Sequence, residues 1–261
     1  MAIDSKTNRG EPAARRTLMR EHQALVFIHG FLDNHATWTP LITALPAGAP
    51  QSIAIDLRGA GERRSDTGPY TLDQAVVDVL QLLEQRELSG VALVGHSMGA
   101  QIAELVAWQA PERVSALMLI TPTPLAGNIL PEEIRTLLRG SGGDPVAQRS
   151  IRKMFSRNLG DHQLDRLVAL DRLMPKEVVR DYYDAFTGGD ARGRMPCAYD
   201  GPSLVLGATE DPVIPAQQVA DICHDRFPAA DFRLIDGSGH WPQLEQPART
   251  AQALASHLGF D

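Results

Sequence analysis

A serine, an acid and a histidine, each just past the end of an apolar run, are the residues of this chain best placed by type and spacing to do chemistry. Gly95-His96-Ser97-Met98-Gly99 spells G-x-S-x-G between the apolar run Val91-Ala92-Leu93-Val94 and a helical pattern carried by Met98, Ile102, Leu105 and Val106. In a strand, tight turn and helix of this kind, the flanking glycines remove β-carbons that would clash. The serine hydroxyl then stands clear of the sheet at a helix N-terminus. A serine hydroxyl is a poor nucleophile at neutral pH, so a base must take its proton during attack and a third group must orient that base. His240 offers the base, in the Gly-rich stretch Asp236-Gly237-Ser238-Gly239-His240-Trp241-Pro242 that follows Phe232-Arg233-Leu234-Ile235. Asp211 offers the orienting acid, in Gly207-Ala208-Thr209-Glu210-Asp211-Pro212 after Leu204-Val205-Leu206. Each also has a plainer reading, His240 as a surface histidine and Asp211 as the start of a turn with Pro212. Glu210 and Asp236 compete for the acid's role, although Asp236 stands four residues before His240 and reads as a strand end.

Attack on a carbonyl builds negative charge on oxygen, which needs preorganised donors, commonly two backbone N–H groups. The amide of Met98 follows the nucleophile at the helix start, and the amide of Phe31 follows His29-Gly30 at the end of the first core strand. His29 and His35 make a poor metal pair, because no acidic or cysteine cluster accompanies them. No metal and no cofactor is expected.

The elements that must hold these groups are legible from residue 24 onward, where short apolar runs alternate with longer amphipathic stretches, the pattern of parallel strands and crossover helices. Strands are expected at 24–29, 51–56, 90–95, 114–120, 202–208 and 230–236. Leu72, Val76, Val79, Leu80 and Leu83 form one helical face, and Ala251, Leu254, Ala255 and Leu258 another. The implied architecture is α/β, a doubly wound, mostly parallel sheet with helices on both faces. The alternation stops between 122 and 196, where Ile134, Leu137 and Leu138, then Ile151, Met154 and Phe155, then Val178, Val179, Tyr182 and Phe186 recur at helical intervals. That block reads as an inserted helical cap at the carboxyl end of a strand, the edge where open α/β sheets bind ligands. The expected division is a polar tail over 1–23 with one short strand near Thr17–Arg20, a core over 24–121 and 197–261, and the cap over 122–196.

With 261 residues and 43% hydrophobic content, the chain is long enough for one large α/β domain carrying an insertion. A net charge of −7 argues against nucleic acid and anionic membranes as main partners. Cys197 and Cys223 lie far apart, with no C-x-x-C spacing for a zinc site or a disulfide framework. The N-terminal stretch has no apolar signal-peptide core, and no run reaches the length of a membrane span, so the expected location is cytoplasmic and the expected partner a small-molecule substrate. Oligomeric state leaves no trace in the sequence.

The chain order serine, acid, histidine carried by Ser97, Asp211 and His240 resembles the α/β-hydrolase superfamily, in particular its serine-nucleophile members with a helical cap. The resemblance spans roughly residues 24–258. It also covers His29-Gly30-Phe31, which is similar to the family's H-G-X oxyanion turn and makes His29 structural rather than catalytic. Some relatives carry the acid after the preceding strand; here that stretch is Thr121-Pro122-Thr123-Pro124, which favours Asp211. Asp56-Leu57-Arg58-Gly59-Ala60-Gly61 is similar to the family's D-x-x-G-x-G-x-S loop, but Glu62, Arg63 and Arg64 precede Ser65, so this loop is longer. Arg58, Arg63 and Arg64 read as a solvated loop, with recognition of an anionic substrate as the alternative. The family's early strands have little room in the first twenty or so residues, so the sheet is expected to be short at that edge.

The resemblance implies hydrolysis of a carboxylic ester through an acyl-enzyme, with some of Leu125, Met154, Phe155, Tyr182 and Phe186, and Trp241 beside them, as an apolar pocket for a small-to-medium substrate and ordinary cap core as the plainer reading of any one of them. Carbon–carbon bond hydrolysis or a lyase reaction by the same three residues is the alternative, as is a non-catalytic small-molecule sensor. Lipase, amidase, thioesterase and perhydrolase chemistry are left open by the motif. Haloalkane dehalogenases and epoxide hydrolases need a carboxylate at the nucleophile position, which Ser97 does not supply.

Overall fold

The computed structural model describes residues 22–169 and 173–260. The apolar runs form β1 (Ala24–Ile28), β2 (Gln51–Ile55), β3 (Val91–His96), β4 (Val114–Ile120), β5 (Ser203–Ala208) and β6 (Asp231–Ile235). They pair in parallel throughout, in the order β2-β1-β3-β4-β5-β6. All of the expected strands are present, with ends close to those read from the apolar runs. The central strands are buried on both faces, which is why they read as unbroken apolar runs rather than as an alternation.

Successive side chains of each strand enter opposite cores. Val26, Ile28, Leu93, Leu117 and Leu119 point to the face covered by α2 (Leu72–Gln85) and α3 (Met98–Gln109). Leu25, Phe27, Val94, Met118 and Ile120 point to the other face, where they meet Trp38, Leu41 of α1 (Thr39–Ala44) and Leu254 and Leu258 of α10 (Pro247–Leu258). The helices start and stop where local chemistry directs. Thr71 accepts from the Gln74 N–H to cap α2, and α10 ends at Gly259 in the left-handed region, with φ of 78°.

Between β4 and β5 the chain leaves the sheet for α4 (Glu132–Gly140), α5 (Pro145–Phe155), α6 (Asp161–Leu167) and α7 (Lys176–Gly188). Three of these match the helical stretches expected around Ile134, Ile151 and Val178; α6 is additional. Asp144 accepts from the Val146 and Ala147 N–H groups, and Pro145 opens α5 with a preset φ. After β5 come α8 (Ala216–Arg226) and, past β6, the short α9 (Pro242–Glu245). The expected short strand near Thr17–Arg20 lies outside the described residues. Among the described residues β2 is an edge strand, and no helix is long and apolar enough to cross a membrane.

The topology fixes where a site can form. β1 and β3 are neighbours, yet the chain leaves one toward β2 and the other toward β4, so their carboxyl ends flank the crevice where the winding reverses. Phe31 follows β1 and Ser97 follows β3 at that crevice. Across it, α3 approaches β1 so closely that a β-carbon on Gly99 would fall 2.2 Å from the Ile28 carbonyl oxygen. Gly99→Ala must push the helix off the strand. We expect a loss of about 1–3 kcal/mol, the range for overpacking a core, in urea denaturation; an unchanged midpoint would contradict this packing.

Candidate functional site

The turn from β3 to α3 holds Ser97 at φ 53° and ψ −118°, a conformation that a residue with a side chain adopts at a cost of about 1–3 kcal/mol. The surroundings hold it there. The Ser97 N–H donates to the Ile120 carbonyl of β4 at 3.0 Å, and the Ser97 carbonyl accepts from Ala100 and Thr123. The turn after β1 lies against this bend: a β-carbon on Gly30 would come 2.8 Å from His96 Nδ1 and 3.2 Å from Ser97 Cβ. His29, fully buried, accepts from the Leu57 N–H at Nε2 and therefore donates from Nδ1 to the Gly30 carbonyl at 2.8 Å. It is a brace between two loops, and burial depresses its pKa.

Ser97, Asp211 and His240 come together. His240 Nδ1 lies 2.7 Å from Asp211 Oδ2, and His240 Nε2 lies 3.0 Å from Ser97 Oγ. A carboxylate only accepts, so Nδ1 carries the hydrogen and Nε2 is left bare toward the serine hydroxyl. Asp211 Oδ1 is held separately by the Val213 and Ile214 N–H groups. The rival acids lie elsewhere: Glu210 pairs with Arg157, and Asp236 is exposed beside Thr209 and Arg249.

The His240 loop is fastened at several atoms. His96 Nε2 and Thr121 Oγ1 donate to the His240 carbonyl at 2.8 and 3.2 Å, and the His240 N–H donates to the Phe155 carbonyl of α5 at 2.9 Å. The Glu245 carboxylate collects the N–H groups of Gly239 and Trp241 and, from the end of α5, those of Arg157 and Asn158. Glu245 was not marked by the sequence patterns.

Two histidine rings with centroids 5.1 Å apart are tuned in opposite directions. Burial and the nearby His240 drive His96 down to about 4, so it is a neutral donor. Burial also disfavours a charged His240, but the Asp211 carboxylate and its hydrogen bond, with Asp33 and Glu245 farther off, outweigh this and leave it above the usual histidine value.

A small cavity opens over Ser97, about 40 Å³, room for roughly three waters. Its walls are mainly carbon: Leu138 of α4, Ile151 and Phe155 of α5, Phe186 of α7, and Val213 and Ile214 beside Asp211, with Phe31, Leu32 and Trp241 completing the lining. Asn128 and Thr123 add polar atoms, and Thr123 Oγ1 lies 3.3 Å from Ser97 Oγ. Of the expected pocket residues, Phe155, Phe186 and Trp241 line it. Three others point elsewhere. Met154 is 51% exposed, Leu125 is buried in the main core, and Tyr182 donates to the Arg58 carbonyl while packing on Tyr70. Met154 falls outside the buried face of α5, which is made by Gln148, Ile151, Arg152 and Phe155.

Two of the arginines after β2, Arg58 and Arg63, are engaged with acids. Arg58 and Arg63 both bind Asp78, and Arg63 also binds Asp66. His35 binds Asp56 through Nδ1 at 2.7 Å, away from His29. His35, Asp56, Arg63 and Asp78 border a separate hollow of about 390 Å³ between β2 and α2.

Comparison with known proteins places the chain among relatives. A family model described as "Alpha/beta hydrolase family" matches residues 25–253. An uncharacterized protein of Mycobacterium tuberculosis is 27% identical over 87% of this chain and 72% of its own. An esterase from Exiguobacterium antarcticum superposes with a TM-score of 0.80 at 20% identity, covering 91% of this chain and 92% of its own. A meta-cleavage product hydrolase from Pseudomonas fluorescens IP01 does so with a TM-score of 0.76 at 20% identity, covering 92% and 91%. At these identities the two structures share the fold.

The histidine tuning predicts an NMR titration in which the His240 ring protonates above the usual value of about 6.5 while His96 titrates near 4. A single shared midpoint near 6.5 would contradict the partner assignments.

Proposed function

Because the chain belongs to the Alpha/beta hydrolase family, we propose that it is a serine hydrolase that cleaves a carboxylic ester of a small, mainly apolar, uncharged substrate. The observation that carries this reading is the unbroken path Ser97 Oγ, His240 Nε2, His240 Nδ1, Asp211 Oδ2 at the floor of a carbon-lined cavity. As Ser97 Oγ bonds to the ester carbon, His240 Nε2 takes the hydroxyl proton and the resulting imidazolium is stabilised by Asp211. The carbonyl oxygen becomes an oxyanion, held by the amides of Phe31 and Met98. The Met98 N–H is in the first turn of α3, where no helical carbonyl can accept from it. Collapse expels the alcohol, which leaves with the proton from His240. Water, deprotonated by the same nitrogen, then releases the acid and restores Ser97.

The helical insertion acts in this reading as a cap, since α4, α5 and α7 contribute Leu138, Ile151, Phe155 and Phe186 to the acyl pocket. The cavity favours ester cleavage over carbon–carbon cleavage of an acidic substrate: its lining is neutral outside the triad, and the buried guanidinium beside it, Arg152, is neutralised by Asp33 at 2.7 Å. Arg58 and Arg63 after β2 are equally committed to Asp78.

Hydrolysis of p-nitrophenyl esters from acetyl to decanoyl tests the reading. We expect turnover that is highest for acyl chains of four carbons or fewer, as about 40 Å³ of free space implies, and that disappears in Ser97→Ala. His240→Ala should lose at least about 100- to 10,000-fold, the usual worth of a placed general base. Phe155→Ala should move the optimum to longer chains. The base is active when neutral, and its pKa is raised, so kcat/KM is complete at alkaline pH and falls as pH drops through a midpoint above about 6.5. Full activity in Ser97→Ala, or no turnover of any ester by the folded wild type, would overturn the proposal.

A further inference from the structure

The helix α5 buries an arginine against the floor of the site. Arg152 is 1% exposed, as is the Asp33 carboxylate it meets. Its Nη1 donates to Asp33 Oδ1 at 2.7 Å and its Nη2 to the Leu32 carbonyl at 2.5 Å. The second Asp33 oxygen accepts from Trp241 Nε1 at 3.0 Å and lies 3.7 Å from His96 Nδ1. The guanidinium carbon also stands 5.6 Å from the Trp241 ring centroid. One ion pair thus touches the residue after Phe31, the residue after His240 and the residue before Ser97.

Leu32 is the informative neighbour. It is not glycine, yet its φ is 65°, at the third position of a turn closed by the Asp33 N–H on the Gly30 carbonyl at 3.3 Å. Its carbonyl is the one Arg152 holds, two peptides beyond the one whose N–H is assigned to the oxyanion. The same helix end also receives the His240 N–H at the Phe155 carbonyl. A surface ion pair has no reason to be built this way. Burying two charges is justified only when geometry and additional hydrogen bonds compensate their desolvation, and here every added bond runs to a loop of the proposed triad or oxyanion turn.

We propose that Asp33 and Arg152 are a positioning pair through which the helical insertion sets the oxyanion turn and the His240 loop for catalysis. The proposal rests on the serine-hydrolase reading for its consequence in rate. Arg152 acts through Leu32 and Asp33 and does not touch the substrate. The charged and titratable groups that face His240 are Asp211 from the loop after β5, Asp33 from the loop after β1, Glu245 from α9, His96 from β3 and, behind Asp33, Arg152 from α5.

The test compares wild type with Arg152→Met, Arg152→Lys and Asp33→Asn, each checked for folding by thermal melting. Two quantities are read: the second-order rate of phosphonylation of Ser97 by a fluorophosphonate, and the His240 midpoint by NMR. Arg152→Met should slow phosphonylation by about 100-fold, the scale of a lost oxyanion donor, and Arg152→Lys, which keeps the charge without the fork, should recover only part of this. In ester assays the loss should fall on kcat with little change in KM. The His240 midpoint should rise in Arg152→Met, where Asp33 is no longer offset, and fall in Asp33→Asn. Folded variants with wild-type phosphonylation and an unmoved His240 midpoint would reduce the pair to packing and overturn the proposal. Should Arg152→Met fail to fold, Arg152→Lys and Asp33→Asn decide by the same criteria. A wild type inert toward esters refutes the esterase reading alone, because the sign of the His240 shifts still upholds or overturns the pair.

Discussion

The structure turns on the strained bend at Ser97. A left-handed serine between a strand and a helix is unfavourable by itself, so everything around it must make that conformation the best available. The Ile120 carbonyl, the Ala100 and Thr123 amides and the contact of α3 with β1 do so together. The same contact decides what else can be nearby. Because α3 lies against the end of β1, the turn carrying Gly30 and Phe31 is brought to the serine's side, and because β4 and β5 follow in order, the loops bearing Thr123 and Asp211 arrive next to it. One backbone constraint in the middle of a parallel sheet therefore sets the distances on which the proposed chemistry depends.

Electrostatics then separate groups that burial alone would treat alike. His29, His96 and His240 are all buried, but of the three only His240 hydrogen-bonds a carboxylate through its Nδ1, and only it is pushed upward. His96 and His29 spend their rings on holding backbone carbonyls and amides. The result is one imidazole free to change its protonation state among others that are structural. Asp33 and Arg152 extend this logic into the insertion, where a paired charge holds loops without presenting a free ion to the cavity.

Much of this was legible in the residues, and the parts that were not share a cause. Strands buried on both faces read as apolar runs, and glycine-rich stretches past their ends point to loops where Ser97, Asp211 and His240 must lie. The order of these residues along the chain carried the rest. Cavity walls are different, since helical spacing locates a stripe without saying which partner the stripe meets. Phe155 and Phe186 reach the cavity, Tyr182 from the same stripe as Phe186 reaches the loop after β2, and Met154 points outward. Arg152 was invisible for the opposite reason: in Arg149-Ser150-Ile151-Arg152-Lys153 it reads as the solvated face of a helix. Its burial comes from Asp33, over a hundred residues away in sequence. Val213, Ile214 and Glu245 act from loops and a short helix, where no periodicity marks a role.

The central claim is that Ser97 is an activated nucleophile, and intact-mass and peptide analysis after treatment with a fluorophosphonate examines it without assuming any substrate. The account predicts a single adduct per chain, located on Ser97, that forms in the folded protein and fails to form in His240→Ala on the same timescale. An adduct on another serine, or equal labelling of Ser97 with and without His240, would contradict it.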